Sequence, residues 1–117
     1  MKKQKKRIDN HLNNKDKLKP SIELIQSIID SFSNGQKKEA ILEIEKLITD
    51  YPLMPLLLNV CGSFYQSDSQ LDLAVKKFKQ ALSIEPNYSE VHYNLGVTLR
   101  ELGQIEEAIK SYKNALN

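Results

Sequence analysis

The side chains that could perform chemistry are few in this sequence and lie far apart. Cys61 is the only cysteine, so no intrachain disulfide can form, and no cysteine–histidine spacing is typical of a zinc site. His92 has no partner in a metal-ligand pattern, which favours a packing or boundary role over a titrating switch. Glu101, Glu106 and Glu107 are typical of a solvated helix face. Because no nucleophile–base pair, glycine-rich phosphate loop or carboxylate dyad can be assembled, we predict that the protein is not an enzyme and uses no cofactor or metal ion.

Charge is distributed unevenly along the 117 residues. Residues 1–20 carry eight basic and two acidic side chains, whereas residues 21–117 carry nine basic and thirteen acidic ones. The composition, 40% apolar and 27% charged, is typical of a soluble globular protein. The basic start is not followed by the apolar segment that a signal peptide requires, and no apolar run is long enough for a membrane helix. We therefore expect a cytoplasmic protein for which membrane binding is disfavoured.

The lysine-rich segment 1–20 is predicted to be a flexible basic arm. Such an arm either keeps the protein soluble or docks on nucleic acid, anionic lipid or an acidic protein surface. We favour the solubilising role, so nucleic-acid partners are disfavoured. Ile8, Leu12 and Leu18 lie at near-helical spacing, which leaves open a short additional helix within the arm.

An interval of 34 residues recurs through the rest of the sequence. Gly96 follows Gly62 at this interval, and Ala108 follows Ala74, which in turn follows Ala40. The same interval relates further similar pairs: Tyr112 and Phe78, Ala115 and Ala81, and Pro86 and Pro52. A fixed period of this length is typical of a repeat array in which each unit is a pair of helices that cannot bury its apolar face alone.

Apolar residues at helical spacing, interrupted by glycine, asparagine or proline, predict helices and no strand. The predicted helical segments are residues 21–33, 37–50, a helix from Pro55 to the turn at 67–69, and then 71–84, 89–102 and 105–117. The predicted fold class is therefore all-α, an α-solenoid of three antiparallel helix pairs.

Residues 89–117, SEVHYNLGVTLRELGQIEEAIKSYKNALN, resemble a unit of the tetratricopeptide repeat (TPR) family. Residues 55–88 resemble a second unit through a shared set of positions: Gly62, Tyr65, Ala74, Phe78, Ala81 and Pro86. Residues 21–54 resemble a degenerate first unit that keeps Gly35, Ala40 and Pro52 but departs from the pattern at Ser27, Ile28 and Ser31. The third unit is expected to lack the C-terminal turn and capping helix that close such arrays. Over residues 21–117 the resemblance implies a right-handed superhelix of helix pairs.

The resemblance implies a protein-interaction module that binds a peptide or a partner subunit and has no catalysis of its own. By correspondence with the family, its concave groove is lined by fourteen residues: Ile22, Ile25, Ile29, Phe32, Leu56, Asn59, Ser63, Gln66, Glu90, Tyr93, Asn94, Val97, Arg100 and Glu101. Some family members hold a peptide's C-terminal carboxylate with lysine and asparagine. The matching positions here hold Asn59 and Tyr93, then Ser63 and Val97, so that activity is not implied.

Two surfaces are candidates for binding a second copy of the chain. One is the apolar start of the groove around Phe32, which could instead be covered by residues 8–20, by packing peculiar to the first unit, or by a foreign ligand. The other is the last helix, on which Ile105, Ile109, Tyr112 and Leu116 are expected to be partly uncovered. In an alternative interpretation, the chain is the substrate-docking front of a longer enzyme, because similar bacterial proteins place such repeats ahead of glycosyltransferase or sulfotransferase domains.

Overall fold

The structure, a computed structural model, describes residues 19–117; the predicted extra helix around Ile8, Leu12 and Leu18, and most of the basic arm, lie outside the described residues. Residues 19–117 form six α-helices and no strand: α1 Ile22–Ser33, α2 Lys37–Asp50, α3 Pro55–Ser67, α4 Leu71–Ile84, α5 Ser89–Glu101 and α6 Ile105–Leu116. Each helix packs on its neighbours in sequence, and α3 also contacts α5. The fold is an all-α helical-repeat solenoid, which confirms the predicted fold class.

The helix ends follow the local signals in the sequence, and the observed bounds lie within one residue of the predicted ones. Ser21, predicted to open the first helix, is its N-cap, and its hydroxyl accepts a hydrogen bond from the backbone N–H of Leu24 at 3.1 Å. Pro55 occupies the first turn of α3, where its missing N–H costs nothing. No helix within residues 19–117 is both long enough and apolar enough to cross a membrane.

The turns inside the three helix pairs share a left-handed backbone. Gly35 and Gly103 have φ of 99° and 82°, and Ser69 takes the equivalent place between α3 and α4 with φ of 61°. Glycine adopts this conformation freely, whereas the Cβ of serine clashes with the backbone. The middle turn is therefore strained relative to the other two.

Close packing within each pair depends on one small residue facing one large one. A Cβ placed on Gly62 would lie 2.5 Å from the Phe78 ring, and one on Gly96 would lie 2.7 Å from the Tyr112 ring. The first pair instead buries an isoleucine at each of the two positions, which are Ile28 and Ile44. Two side chains of medium size thus replace one small and one large side chain, and the first pair keeps a packed core although it departs from the repeat pattern.

Candidate peptide-binding groove

Three hydrogen bonds between side chains join α3 to α5 along the face predicted to be the groove. The amide of Asn59 donates to Glu90 Oε2 at 3.3 Å, and its oxygen accepts from Asn94 Nδ2 at 2.9 Å. Further along, Gln66 Nε2 donates to Glu101 Oε1 at 3.0 Å. The paired residues lie 31 or 35 positions apart, about one repeat length, so the repeat period was the signal that could have predicted these contacts.

These bonds change how two of the predicted groove residues contribute. Asn59 is only 4% exposed, because α5 covers it, and it acts as a polar link between helices. Asn94 is half-buried and uses its amide nitrogen on Asn59, while its backbone carbonyl accepts the hydroxyl of Thr98 at 2.9 Å. The two side-chain amides are therefore bonded to each other, and a ligand in the groove contacts only the exposed edge of the Asn59–Asn94 pair.

Charge in the groove is mainly acidic. Among the fourteen predicted residues, Glu90 and Glu101 are exposed carboxylates and Arg100 is the single cation, also exposed. Partial burial, with the Glu90 carboxylate as a second cause, raises the pKa of the Tyr88 phenol, so this side chain stays neutral at physiological pH. The groove therefore attracts neutral or basic groups more than acidic ones.

The apolar start of the groove is less open than its sequence predicts. Ile25 is buried in the core, and Ile29 and Phe32 are half-buried. The Phe32 ring stacks on Phe64 with 4.2 Å between centroids and 3° between planes, and Lys37 Nζ lies 5.6 Å from the Phe32 centroid. Packing peculiar to the first pair thus covers part of the predicted apolar lining.

Ile22 is the strongly exposed member of this set, at 77%, and it borders an open cleft. The cleft has a volume of about 600 Å³ and lies between the N-terminal ends of α1 and α3; its lining is Lys19, Pro20, Ser21, Ile22, Ile25, Met54 and Leu56. A second cleft of about 400 Å³ adjoins it, since both include Lys19 and Met54. Lys19, Pro20 and Met54 are not among the predicted groove residues, although each lies within three residues of a helix start, where chain segments of neighbouring pairs converge.

The remaining predicted groove residues lie along α3 and α5. Leu56 is exposed, while Ser63, Gln66 and Val97 are half-buried. Tyr93 is 55% exposed, and its ring makes a tilted contact with Tyr112 at 5.7 Å between centroids. Tyr93 therefore lies at the α6 end of the groove, far along the array from the cleft beside Ile22.

A second polar cluster lies inside the array and joins the first two helix pairs. Glu45 on α2 accepts hydrogen bonds from Lys77 Nζ at 2.9 Å and from the Tyr65 hydroxyl. Partial burial opposes ionisation of Glu45, but the bonds from Lys77 and Tyr65 outweigh it and hold the pKa of the carboxyl below its usual value. This cluster is an inter-repeat contact.

The cysteine and the histidine that could perform chemistry are held in structural contacts. Cys61 is fully buried, and burial, with Glu45 as a second cause, raises the pKa of its thiol to about 12, so the reactive thiolate is not formed at neutral pH. His92 Nε2 lies 2.7 Å from the carbonyl oxygen of Pro86, which requires the nitrogen to be the donor. Within residues 19–117, no group of three or more metal-ligating side chains is close enough to hold a metal ion.

Paired antiparallel helices stacked in sequence, joined by short turns and carrying a groove along their first members, define a helical-repeat protein. Residues 77–110 match the tetratricopeptide repeat family model. The matched residues thus resemble a tetratricopeptide repeat, and the fold of residues 19–117 is the one found in solved tetratricopeptide-repeat structures.

Solved structures show the same fold at low sequence identity. The second TPR of Spaghetti (RPAP3), bound to the HSP90 peptide SRMEEVD, matches with a TM-score of 0.78 and 21% identity, covering 92% of this chain and 96% of that one. The Sgt2 TPR domain from Aspergillus fumigatus has a TM-score of 0.76 and 19% identity, covering 84% and 67%. MamA has a TM-score of 0.70 and 24% identity, covering 74% and 50%, so the chain spans about half the length of that structure. No curated protein sequence gives a significant match.

Proposed function

We propose that the array binds an extended peptide segment that carries an apolar side chain and at least one basic side chain. The observation that carries the proposal is the open cleft between α1 and α3, where Ile22 is 77% exposed beside Leu56 at the start of an acidic groove. The family and the fold support a protein-interaction module, and the second TPR of Spaghetti shows that such a fold holds a peptide.

The apolar side chain of the peptide would enter the cleft. Its walls are formed by Ile22, Met54 and Leu56, so burial of a leucine- or phenylalanine-sized group there releases water from both partners. Pro20 and Ile25, which also line the cleft, are buried. A preformed pocket of this kind costs little ordering free energy on binding.

The basic part of the peptide would lie along α5. Glu90 and Glu101 are exposed there, and each already accepts an amide hydrogen bond from α3, which fixes the carboxylate in position. A carboxylate accepts further bonds through its free lone pairs, so a lysine or arginine of the ligand can join without displacing the amide. An acidic peptide such as SRMEEVD would instead meet repulsion from the same carboxylates.

A peptide-display selection on the whole chain tests the proposal. We expect enrichment of segments that contain a large apolar residue and a lysine or arginine. A selected peptide, labelled for fluorescence anisotropy, should bind Ile22→Asp at least about tenfold more weakly than the parent protein, because the substitution places a charge in the apolar wall.

Leu42→Asp is the matched control, since Leu42 is a similarly exposed apolar residue on α2, at 70%, and lines neither cleft. It should leave the affinity unchanged. SRMEEVD should bind more weakly than the selected peptide at low salt. Selection without an apolar or basic preference, or an Ile22→Asp affinity equal to that of Leu42→Asp, would contradict the proposal.

A further inference from the structure

The first helices of the three pairs, α1, α3 and α5, begin at one edge of the array. The cleft joins the starts of α1 and α3, and the hydrogen bond from Asn59 to Glu90 joins those of α3 and α5. We call residues 19–23, 50–56 and 84–90 the helix-start edge. Its charged side chains are four acidic ones, Glu23, Asp50, Glu85 and Glu90, and one basic one, Lys19. All five are exposed, and none forms an ion pair within residues 19–117, so this edge is an acidic surface beside an apolar cleft.

Residues 2–8 of the same chain carry the complementary chemistry. Five of the six residues 2–7 are basic, and Ile8 follows them directly. The acidic edge attracts such a segment, and the cleft accepts its apolar side chain. An apolar residue beside basic ones is also the combination proposed above for a bound peptide.

We propose that residues 2–8 are an internal ligand of the array, with Ile8 in the cleft beside Ile22 and the basic side chains before it facing the helix-start edge. The inference rests on the proposed function, because it uses the same cleft. It adds that a foreign peptide binds in competition with a segment of the chain itself.

The connection between the segment and the cleft is long enough for this contact. Lys19 lines both clefts and lies eleven residues after Ile8, and an extended stretch of that length spans up to about 36 Å. Asn13 and Asn14, between them, are of a type that favours turns. A short tether of this kind gives an effective concentration of millimolar order, so even a weak contact is well populated.

The geometry of α3 relates the cleft to the nearest groove carboxylate. Leu56, which lines the cleft, lies three residues or about 4.5 Å along the helix from Asn59, whose amide donates to Glu90 at 3.3 Å. Three extended residues span about 10 Å. With Ile8 in the cleft, Lys5 can therefore reach the Glu90 carboxylate, which has lone pairs free to accept a further bond.

Charge distinguishes Ile8 from the other apolar residues of the segment 1–18 that could enter the cleft. No acidic residue occurs among the six residues before Ile8. Asp9 lies within the six residues before Leu12, and Asp16 lies within the six before Leu18. Either of these would bring a carboxylate to an acidic edge, so Ile8 is the anchor with the best electrostatic match.

Tryptophan fluorescence of the full chain tests the contact without a foreign peptide. The sequence contains no tryptophan, so Ile8→Trp introduces a single reporter, and Leu12→Trp is its matched control. Emission from Ile8→Trp should lie at shorter wavelength than emission from the control, because the cleft removes the ring from water. Adding Ile22→Asp should abolish this difference, whereas adding Leu42→Asp should preserve it.

Three results of this experiment would overturn the proposal. They are equal emission from Ile8→Trp and Leu12→Trp, a difference that survives Ile22→Asp, and a difference that disappears on dilution. The last would mean that the segment of a second copy fills the cleft.

Competition with the selected peptide separates this inference from the proposed function. Ile8→Asp should bind the peptide about tenfold more tightly than the parent protein, as expected when the internal ligand fills the cleft in about nine-tenths of the molecules. Leu12→Asp should bind it as the parent protein does. Equal affinities for Ile8→Asp and the parent protein would overturn the internal ligand and leave the proposed function intact. A short-wavelength emission from Ile8→Trp with no selectable peptide would support the internal ligand and contradict the proposed function.

Discussion

Helices α4 and α6 carry equivalent apolar stripes in two different environments: Leu71, Val75, Phe78 and Leu82 on α4, and Ile105, Ile109, Tyr112 and Leu116 on α6. On α4 the stripe is covered by α5, so Val75 is half-buried, whereas its equivalent Ile109 is 48% exposed. The first helices of these pairs show the same contrast, since Asn59 is 4% exposed and its equivalent Tyr93 is 55% exposed. In a repeat array the environment of a side chain depends on the neighbouring pair as much as on the residue itself. A position that is buried in one pair is exposed in the next.

The largest expected difference between the two helices comes from placing a charge in each stripe. Val75→Asp should lower the free energy of unfolding by about 3 kcal/mol, because the carboxylate is trapped between α4 and α5. Ile109→Asp should lower it by less than about 1 kcal/mol, since the side chain can stay in water. Urea denaturation of both variants at low protein concentration measures the two values, and equal losses would contradict the assigned environments.

The two helical glycines sharpen the comparison further. Gly62→Ala should cost about 2 kcal/mol, because Phe78 is fully enclosed and its ring cannot move away from the new methyl group. Gly96→Ala should cost about 1 kcal/mol, because Tyr112 is half-buried and can turn outward. Thermal and urea unfolding of the two variants provide the test. A larger loss for Gly96→Ala would show that Tyr112 is held as rigidly as Phe78.

The strained turn between α3 and α4 offers a smaller effect of opposite sign. Ser69→Gly should raise the free energy of unfolding by about 0.5–1 kcal/mol, because glycine relieves the positive φ. Gly103→Ala, in the equivalent turn between α5 and α6, should lower it by about 1 kcal/mol, since alanine there meets open space but an unfavourable backbone. Unfolding midpoints at constant pH check both values.

A final difference between the pairs concerns acid stability. Glu45, with its pKa lowered in the folded state, stabilises the fold fully above the unfolded value of 4.5, and this contribution is lost as the pH falls through the folded pKa. With Glu45→Gln, the free energy of unfolding should therefore fall less steeply as the pH is lowered below 4.5. In the last pair, Leu99 and Ser111 replace Tyr65 and Lys77, so the equivalent contact is missing. Urea midpoints of parent and variant across acidic pH test this, and identical pH profiles would exclude the role of Glu45.

Much of the fold follows from signals that lie close together in the sequence. The period of 34 residues, the prolines at 52, 55 and 86 and the glycines at 35 and 103 predict the helix bounds within one residue. These signals act locally, through the missing N–H of proline and the left-handed backbone of glycine, and they need no knowledge of distant contacts. The pairing of the small Gly62 with the large Phe78 is also visible in the sequence, because both positions recur at the period of 34 residues.

The candidate site is predicted less completely. The family resemblance predicts the groove face, and Ile22, Tyr93 and Arg100 are exposed. Ile25 on α1 is buried by α2, and Asn59 on α3 is buried by α5, so their burial depends on neighbouring helices. Residues that line the cleft, such as Lys19 and Met54, carry no motif, because their role comes only from the approach of two helix starts.

The sequence by itself determined the helices and their pairing, because these depend on residue type and local spacing. The tertiary structure alone decided which copies of a repeated position are buried and which are open. It also placed the apolar cleft beside an acidic groove and left the stripe of α6 uncovered. Burial is a property of what packs against a residue, and in this array that neighbour lies about one repeat away along the chain.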